Sequence, residues 1–523
     1  MYATCCQARR VEYEGSLVTE EGDDDTRSAG RGLLWVTGSK VFFILTATGV
    51  SIALPHVFGS EEVFGLYSVA FGAAAMFNAV LISSTLQTVS KLVSEDDERA
   101  PQTLRRALTL QLGIGLGLGG AVLGGAPWLA RWVFLDERFT PLLRVVAGVI
   151  FAYALYAALV GYLNGRRRFD RQAQLDMTFS VLRTTGLVGG AALGIGAIGA
   201  IAGFAVAAGC ILVVALFVVG VGAPGGGVPW KRLLAFLAPI WLYQAALNGI
   251  MQIDLQVLHY GATEMARDAA AVDPTAVADR LCGVYRTAQF FAFVPYQLIL
   301  SVTFVVFPYV SRATTLGDEE ATKRYVRGAL RFSVLVLLAV ASPIGGAAEG
   351  VIRVLFPEPY ALGAGALQIL VFGMTAFALF VICATIVAGG GRPRLSAAVA
   401  VLGLIVVVGS TYGLVQALGI EGDRALVGTA IGTTLGTSVA LAAVGFVVYR
   451  SFGAFIGPAT AARALLAAAA GFGVARVIPH DPSPWGIAAG AGGLAAYALV
   501  LVVTREIGRE DLAALKRVIR RGS

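Results

Sequence analysis

The chain has 523 residues, of which 57% are hydrophobic and only 14% charged; its mean hydropathy is +0.75, its net charge +7 and its pI near 9.2. That composition excludes a water-soluble enzyme or binding module, whose surface needs far more polar residues. No aromatic-interleaved basic patch occurs, so the positive charge points to membrane topology and not to nucleic acid.

Residues 1–32 carry Arg9, Arg10 and the acidic run Glu20, Glu21, Asp23, Asp24 and Asp25, with no apolar core. They read as a disordered cytoplasmic lead, not a cleaved signal peptide. Beyond them, polar clusters cut the chain into apolar stretches of about 20 residues, enough to cross ~30 Å of hydrocarbon. Fourteen spans are predicted: 34–55, 63–90, 105–129, 142–163, 175–195, 198–220, 233–260, 281–310, 327–348, 364–388, 394–418, 425–449, 459–478 and 484–504. Barrel-type alternation is absent, so the expectation is an all-α polytopic membrane protein with about 14 transmembrane helices. The basic tail 505–523 sets Leu512, Leu515 and Ile519 opposite Lys516, Arg517, Arg520 and Arg521. It either lies along the inner leaflet or stands as a solvated helix.

With fourteen spans both termini share one side. Of the 40 Lys and Arg, 29 fall on that side, 8 on the opposite side and three within spans. This bias makes the side of the termini cytoplasmic. The cluster "NGRRRFDR", with Arg166, Arg167, Arg168 and Arg171, lies in the cytoplasmic loop between helices four and five, where it reads as a topological anchor on anionic headgroups.

Three short echoes suggest a duplication. "GLYSVA" (65–70) matches "GVYRTA" (283–288) at an offset of 218, and "WVFLDERF" (132–139) resembles "RVLFPEPY" (353–360), with Phe134 and Phe356 222 apart. "NGRRRF" (164–169) aligns with "GGGRPRL" (389–395) at 226, pairing Gly165 with Gly391, Arg166 with Arg392 and Arg168 with Arg394. Three echoes in order, at equivalent topological positions, point to a duplicated six-helix unit. The N-lobe then covers 33–221 (helices 1–6) and the C-lobe 222–450 (helices 7–12), with helices 13–14 (451–504) appended. Because six is even, the repeats are parallel, an arrangement that puts a path between two rocking lobes.

An ionisable group within a span costs about 2.5 to 3.5 kcal/mol, so Lys40, Arg183, Asp254 and Arg286 need a reason. Asp254 and Arg286 lie at similar depths and can pair; the pair either holds a hairpin or presents Arg286 to a cavity with Asp254 tuning it or taking a proton. Lys40 can snorkel to the cytoplasmic side. Arg183 has no acidic partner in its span except Asp176. Helix seven carries an amide stripe, Gln244, Asn248, Gln252 and Gln256, with Asp254 on a different face, and helix eight sets Arg286, Gln289, Phe293 and Gln297 on one face. Such amides either line a polar cavity or bind helices together.

No enzyme constellation emerges. The five cysteines and three histidines lack metal-ligand spacing, and the glycines follow neither a Walker nor a dinucleotide-binding pattern, so no metal, cofactor or ATP motor is expected within the chain. "GLGLGG" (115–120) reads as a small-residue packing face.

The runs "VFGSEEVFGLYSVA", "MQIDLQVLHYG", "GVYRTAQFF", "VIRVLFPEPYALGAGALQILVFG" and "AGGGRPRL", in this order, resemble the oligosaccharide flippases of the polysaccharide-transport (Wzx-like) family, within the multidrug, oligosaccharidyl-lipid and polysaccharide exporter superfamily, over residues 33–450. The resemblance implies a V-shaped pair of lobes in the plasma membrane. These would flip a polyprenyl-diphosphate-linked oligosaccharide to the outer leaflet by alternating access, for surface polysaccharide biosynthesis. It implies a cationic cavity, which Arg286, Arg183 and Lys40 are the positions here to form; the amides Gln289, Gln297, Gln244, Asn248 and Gln252, read from helix spacing, are the expected polar lining. Asp254 takes the helix-seven "ID" position, as an ion-coupling or ion-pairing group. Membrane lipids, a monovalent cation or proton, and a neighbouring glycan polymerase or glycosyltransferases are the implied partners of a monomer. The basic loops (Arg166, Arg167, Arg168, Arg171, Arg392, Arg394) would anchor topology or collect diphosphate from the inner leaflet. A drug/cation antiporter of the superfamily would favour buried carboxylates over arginines, and a glycan polymerase or glycosyltransferase would need a catalytic outer loop. The chain departs from the family pattern in its long outer loop at 261–280, which leaves the register of Asp254 against Arg286 open.

Overall fold

The computed structural model describes residues 35, 38–298, 310, 314, 318–479, 484–506 and 508. The predicted lead 1–32, the amphipathic part of the tail and the distal part of the eighth span lie outside the described residues. The helices are α1 Gly38–Phe58, α2 Glu61–Ser94, α3 Ala100–Trp132, α4 Phe139–Gly165, α5 Phe169–Ala192, α6 Gly196–Val219, α7 Trp230–Asp268, α8 Pro274–Ala292, α9 Glu319–Gly346, α10 Ala348–Leu355, α11 Ala364–Gly389, α12 Pro393–Leu418, α13 Arg424–Phe452, α14 Pro458–Val477 and α15 Pro484–Val503. Among the described residues there is no strand.

Local chemistry starts several of these helices. Ser60, Asp273 and Asp318 accept from the backbone N–H three residues on, at the starts of α2, α8 and α9. Each thereby satisfies a donor that the first turn leaves orphaned. Among the described residues, twelve helices are long and apolar enough to cross a membrane. The two expected spans outside that set are α5 and α8, which hold Asp170, Arg171, Asp176 and Arg183, and Asp279, Arg280 and Arg286. α5 carries four charged residues and the described part of the eighth span three, and of their arginines Arg183 and Arg286 prove to be cavity residues.

In the N-terminal half α2, α3, α4 and α6 pack together, with α5 against α6; in the C-terminal half α11, α12 and α13 pack together with α7. α2 crosses to both α7 and α8 and joins the halves, while α14 and α15 pair with each other on the outside of α9. The α5–α6 hairpin closes over only three residues because Gly186 meets Gly203 and Gly190 meets Gly199, letting the backbones touch. Large apolar side chains such as Phe217 (87% exposed), Phe446 and Leu465 point outward, as a lipid-facing surface requires.

Three expectations need correction. Residues 261–280 are not a long loop: α7 runs to Asp268 and α8 starts at Pro274, so the polar residues there lengthen both helices and only five residues connect them. The turns after α4 and α11 superpose at an offset of 224, not 226. Their hydrogen bonds run 166→162, 167→164 and 168→163 in one, and 390→386, 391→388 and 392→387 in the other. Arg167 (φ 56°) therefore matches Gly391 (φ 82°), both left-handed, and Arg168 matches Arg392. Finally, of the glycines in "GLGLGG", only Gly115 and Gly119 pack on α4; Gly117 and Gly120 face open space.

Candidate functional site

Between the halves lie two adjoining chambers that share Phe43, Phe71, Arg183 and Arg286. The first, called the outer chamber because the expected bias of basic residues assigns its side of the bundle to the outside, is about 250 Å³, is walled by α1, α2 and α8 and is strongly aromatic, with Phe64, Tyr67, Phe290 and Phe293. The other, about 430 Å³, runs toward the start of α1 and is lined by Lys40, Asn78, Gln172, Asp176 and Gln252. Arg183 from α5 and Arg286 from α8 form the waist between them.

The two arginines are held differently. The Arg183 guanidinium lies 5.0 Å from the Phe43 ring centre and 5.7 Å from that of Phe71, with no hydrogen bond or ion pair among the described residues. Asp176, the one acid in its helix that could have paired with it, bonds Lys40 at 3.2 Å instead. Lys40 is 60% exposed at the mouth of the second chamber. Arg286 donates to Gln289 Oε1 (2.9 Å) and Gln252 Oε1 (3.2 Å). Both partners are neutral, so both guanidiniums keep an uncancelled charge.

Asp254 does not face the chambers and makes no direct ion pair with Arg286. It is 1% exposed and accepts from Tyr285 Oη (2.9 Å), Gln289 Nε2 (2.8 Å), Thr433 Oγ1 (3.1 Å) and the Leu255 N–H (2.8 Å). Gln289, also 1% exposed, is thus a buried bridge and not a cavity-wall group. The helix-seven stripe splits accordingly. Gln252 reaches the waist, Gln256 donates to the Val69 carbonyl across the lobes (2.9 Å) and Asn248 donates to Gln244 along α7; Gln244, Asn248 and Gln256 do not line the chambers. Gln297 lines the outer chamber.

The arginines of the two basic turns are held by neighbours where their contacts show. Arg166 bonds Asp97 (3.0 Å), tying the α4–α5 turn to the α2–α3 loop, and Arg392 donates to Ser451 (2.9 Å). Arg167, Arg168, Arg171 and Arg394 are exposed.

A second polar cluster, at the outer ends of the helices, was not foreseen. Arg138 pairs with Asp279 (2.6 Å), Asp136 (3.0 Å) and Glu62 (3.1 Å), and His259 Nε2 lies 3.2 Å from Asp279. Asp136, His259 and Asp279 bring possible metal-ligand atoms within 4.8 Å of one another, although the Arg138 guanidinium already supplies the positive charge there. Glu62, Asp136 and Arg138 belong to the N-terminal half, His259 and Asp279 to the C-terminal half, so the cluster latches the outer ends together. No sequence spacing signals it, because its members come from four separate segments.

The family model described as Polysaccharide biosynthesis protein matches residues 30–314, more than half of the chain. The chain belongs to this family. No curated protein matches it in sequence. Among solved structures it is similar to the lipid II flippase MurJ in an inward closed conformation, at TM-score 0.72 and 15% identity, over 91% of this chain and 100% of that one. It is also similar to an inward-facing multidrug resistance MATE transporter of the MOP superfamily (TM-score 0.62, 16% identity, 77% and 94% covered). A third likeness is to a MOP superfamily transporter from Pyrococcus furiosus whose binding pocket is described as having reverse polarity (TM-score 0.55, 16% identity, 81% and 95% covered). This member of the polysaccharide biosynthesis family is therefore a multi-pass helical membrane protein with the MurJ- and MATE-like fold.

Proposed function

We propose that this family member flips a polyprenyl-diphosphate-linked oligosaccharide from the cytoplasmic to the outer leaflet of the plasma membrane, with both termini cytoplasmic. The observation that carries the reading is the waist of Arg183 and Arg286, two guanidiniums with no acidic partner among the described residues. A diphosphate cannot cross hydrocarbon bare, and planar guanidiniums bind phosphate oxygens through short charge-assisted hydrogen bonds. The aromatic outer chamber offers apolar faces to sugar rings, and Lys40 stands where a headgroup arriving from the inner leaflet would meet the second chamber. Gln252 and Gln297 complete the polar lining. Asp254, in its ring of donors, is the proposed seat of ion coupling, by a proton or a monovalent cation, with glycan-assembling enzymes as the neighbours that supply the cargo.

Combined Arg183→Ala and Arg286→Ala substitution should abolish surface glycan while the protein stays in the membrane. Export at the wild-type level in that variant would refute the cationic waist as the headgroup site.

A further inference from the structure

We propose that Gln289 is a positioning residue: it holds the Arg286 guanidinium apart from the Asp254 carboxylate, and so keeps that cation free for an anionic headgroup. The inference rests on the reading of the waist as a diphosphate site and assigns a role to a residue that does not itself touch the cargo.

Gln289 reaches both charges with one buried amide, donating 2.8 Å to Asp254 Oδ1 and accepting 2.9 Å from Arg286 Nη1. The orientation follows from the charges, since an amide carbonyl turned to the carboxylate or an NH2 turned to the guanidinium would set like partial charges together. On α8, Gln289 lies one turn beyond both Tyr285 and Arg286, so a single helix face delivers Tyr285 and the Gln289 amide to Asp254 while presenting Arg286 to the chambers. Tyr285, Thr433 and the Leu255 N–H fill the rest of the Asp254 carboxylate, and Gln252 gives Arg286 its second neutral acceptor. Each charge is thus solvated separately.

Without the spacer the two charges would be free to collapse. An Arg–carboxylate pair in a dry interior forms paired, charge-assisted hydrogen bonds that a phosphate would have to displace. The amide allows Arg286 to meet the headgroup without first breaking an ion pair. It also links the state of Asp254 to the waist through one side chain.

The test is equilibrium binding of farnesyl diphosphate to the purified full-length protein in lipid nanodiscs, with thermal unfolding of every variant recorded alongside. Gln289→Leu should weaken binding by at least about tenfold, in line with the loss of hydrogen bonds to charged groups. The same substitution in a D254N background should change binding by less than about threefold, because there is no carboxylate left to capture Arg286. Equal losses in the two backgrounds would mean that Gln289 is merely structural and would overturn the proposal. If Gln289→Leu does not assemble, Gln289→Asn, too short to span both charges, is read by the same comparison. Arg286→Ala is the control for the underlying reading: if it binds the probe like the wild type, the diphosphate site itself is wrong, whatever Gln289 does.

Discussion

Gly65 and Gly283 face each other where α2 and α8 cross near the outer surface. A Cβ on Gly65 would strike the Asp279 carbonyl, and one on Gly283 would strike that of Glu61. Both contacts obey the offset of 218, since 65 pairs with 283 and 61 with 279. The two copies of the motif therefore meet at a local two-fold, and backbone, which cannot rotate aside, forms both sides of the contact. Gly283→Ala should push the crossing apart and destabilise the protein by about 1 to 3 kcal/mol, the range for overpacking. Gly413→Ala, with open space around it, should be neutral or slightly stabilising. Thermal unfolding in detergent checks the pair, and labelling of a cysteine placed at Thr287 should show the outer chamber more accessible in Gly283→Ala.

Arg138 locks the same end of the molecule. Replacing it by Met leaves the buried Asp136 and Asp279 carboxylates without their shared cation. Breaking a fully buried pair costs about 3 to 5 kcal/mol, but Arg138 is 39% exposed, and water reduces this to about 1 to 3 kcal/mol. Outer accessibility should rise in Arg138→Met. Unchanged labelling of the Thr287 site would show that the glycine crossing alone holds the outer side shut.

Much of this fold was legible from the cost of placing polar groups in lipid. That cost marks the span boundaries, and it singles out Arg183 and Arg286 as residues needing a purpose. Helix rise put Asp254 and Arg286 within reach of each other, and in the structure one amide touches both. The intervening amide was not legible, because it depends on side-chain rotamers that spacing does not encode. The 261–280 stretch looked like a loop because its polarity ends the hydrophobic signal, yet a helix can continue into water when its caps and tertiary contacts allow. The outer latch was invisible for a different reason: Glu62, Arg138, His259 and Asp279 become neighbours only when two lobes close. The misaligned turn had a specific cause, since glycine was matched to glycine while the left-handed position was filled by arginine in one copy.

That mismatch is itself testable. Arg167 holds φ 56° where Gly391 holds φ 82°, and a side chain in the left-handed region costs about 1 kcal/mol relative to glycine. Arg167→Gly should stabilise the protein by up to that amount, and Gly391→Ala should destabilise it by a similar amount. Paired unfolding curves measure both. The same sign for the two substitutions would contradict the superposition at 224.

Glu506 anchors the appended pair. It accepts from Arg331 (2.9 Å), Arg463 (2.9 Å) and Thr460 (2.9 Å), linking the chain after α15 to α9 and α14. Burial opposes its ionisation, but the donors from Arg463, Arg331 and Thr460 outweigh it and hold the carboxyl below its ordinary value of 4.5. A lowered folded-state value means that the contribution to stability is complete above that ordinary value and is lost as pH falls through the lowered one. Wild type should therefore lose stability on acidification below pH 4.5, and Glu506→Gln should lose less over the same window while being weaker at neutral pH. Parallel acid profiles for the two proteins would remove Glu506 as the clamp.

Arg183 depends on Phe43 and Phe71 for its position, so charge alone should not replace it. Arg183→Lys keeps the cation but loses the planar face that lies over the rings and the fork that grips phosphate. A cation over an aromatic ring contributes about 0.5 to 2 kcal/mol, which corresponds to a loss of roughly 2- to 30-fold in binding a polyprenyl diphosphate. Phe71→Leu should weaken binding by a similar factor, because the guanidinium is then free to turn away from the waist. The two substitutions combined should cost less than the product of the single effects, since each removes the same contact. Multiplicative losses would mean that Phe71 acts on the cargo directly and that Arg183 is positioned by something other than its rings.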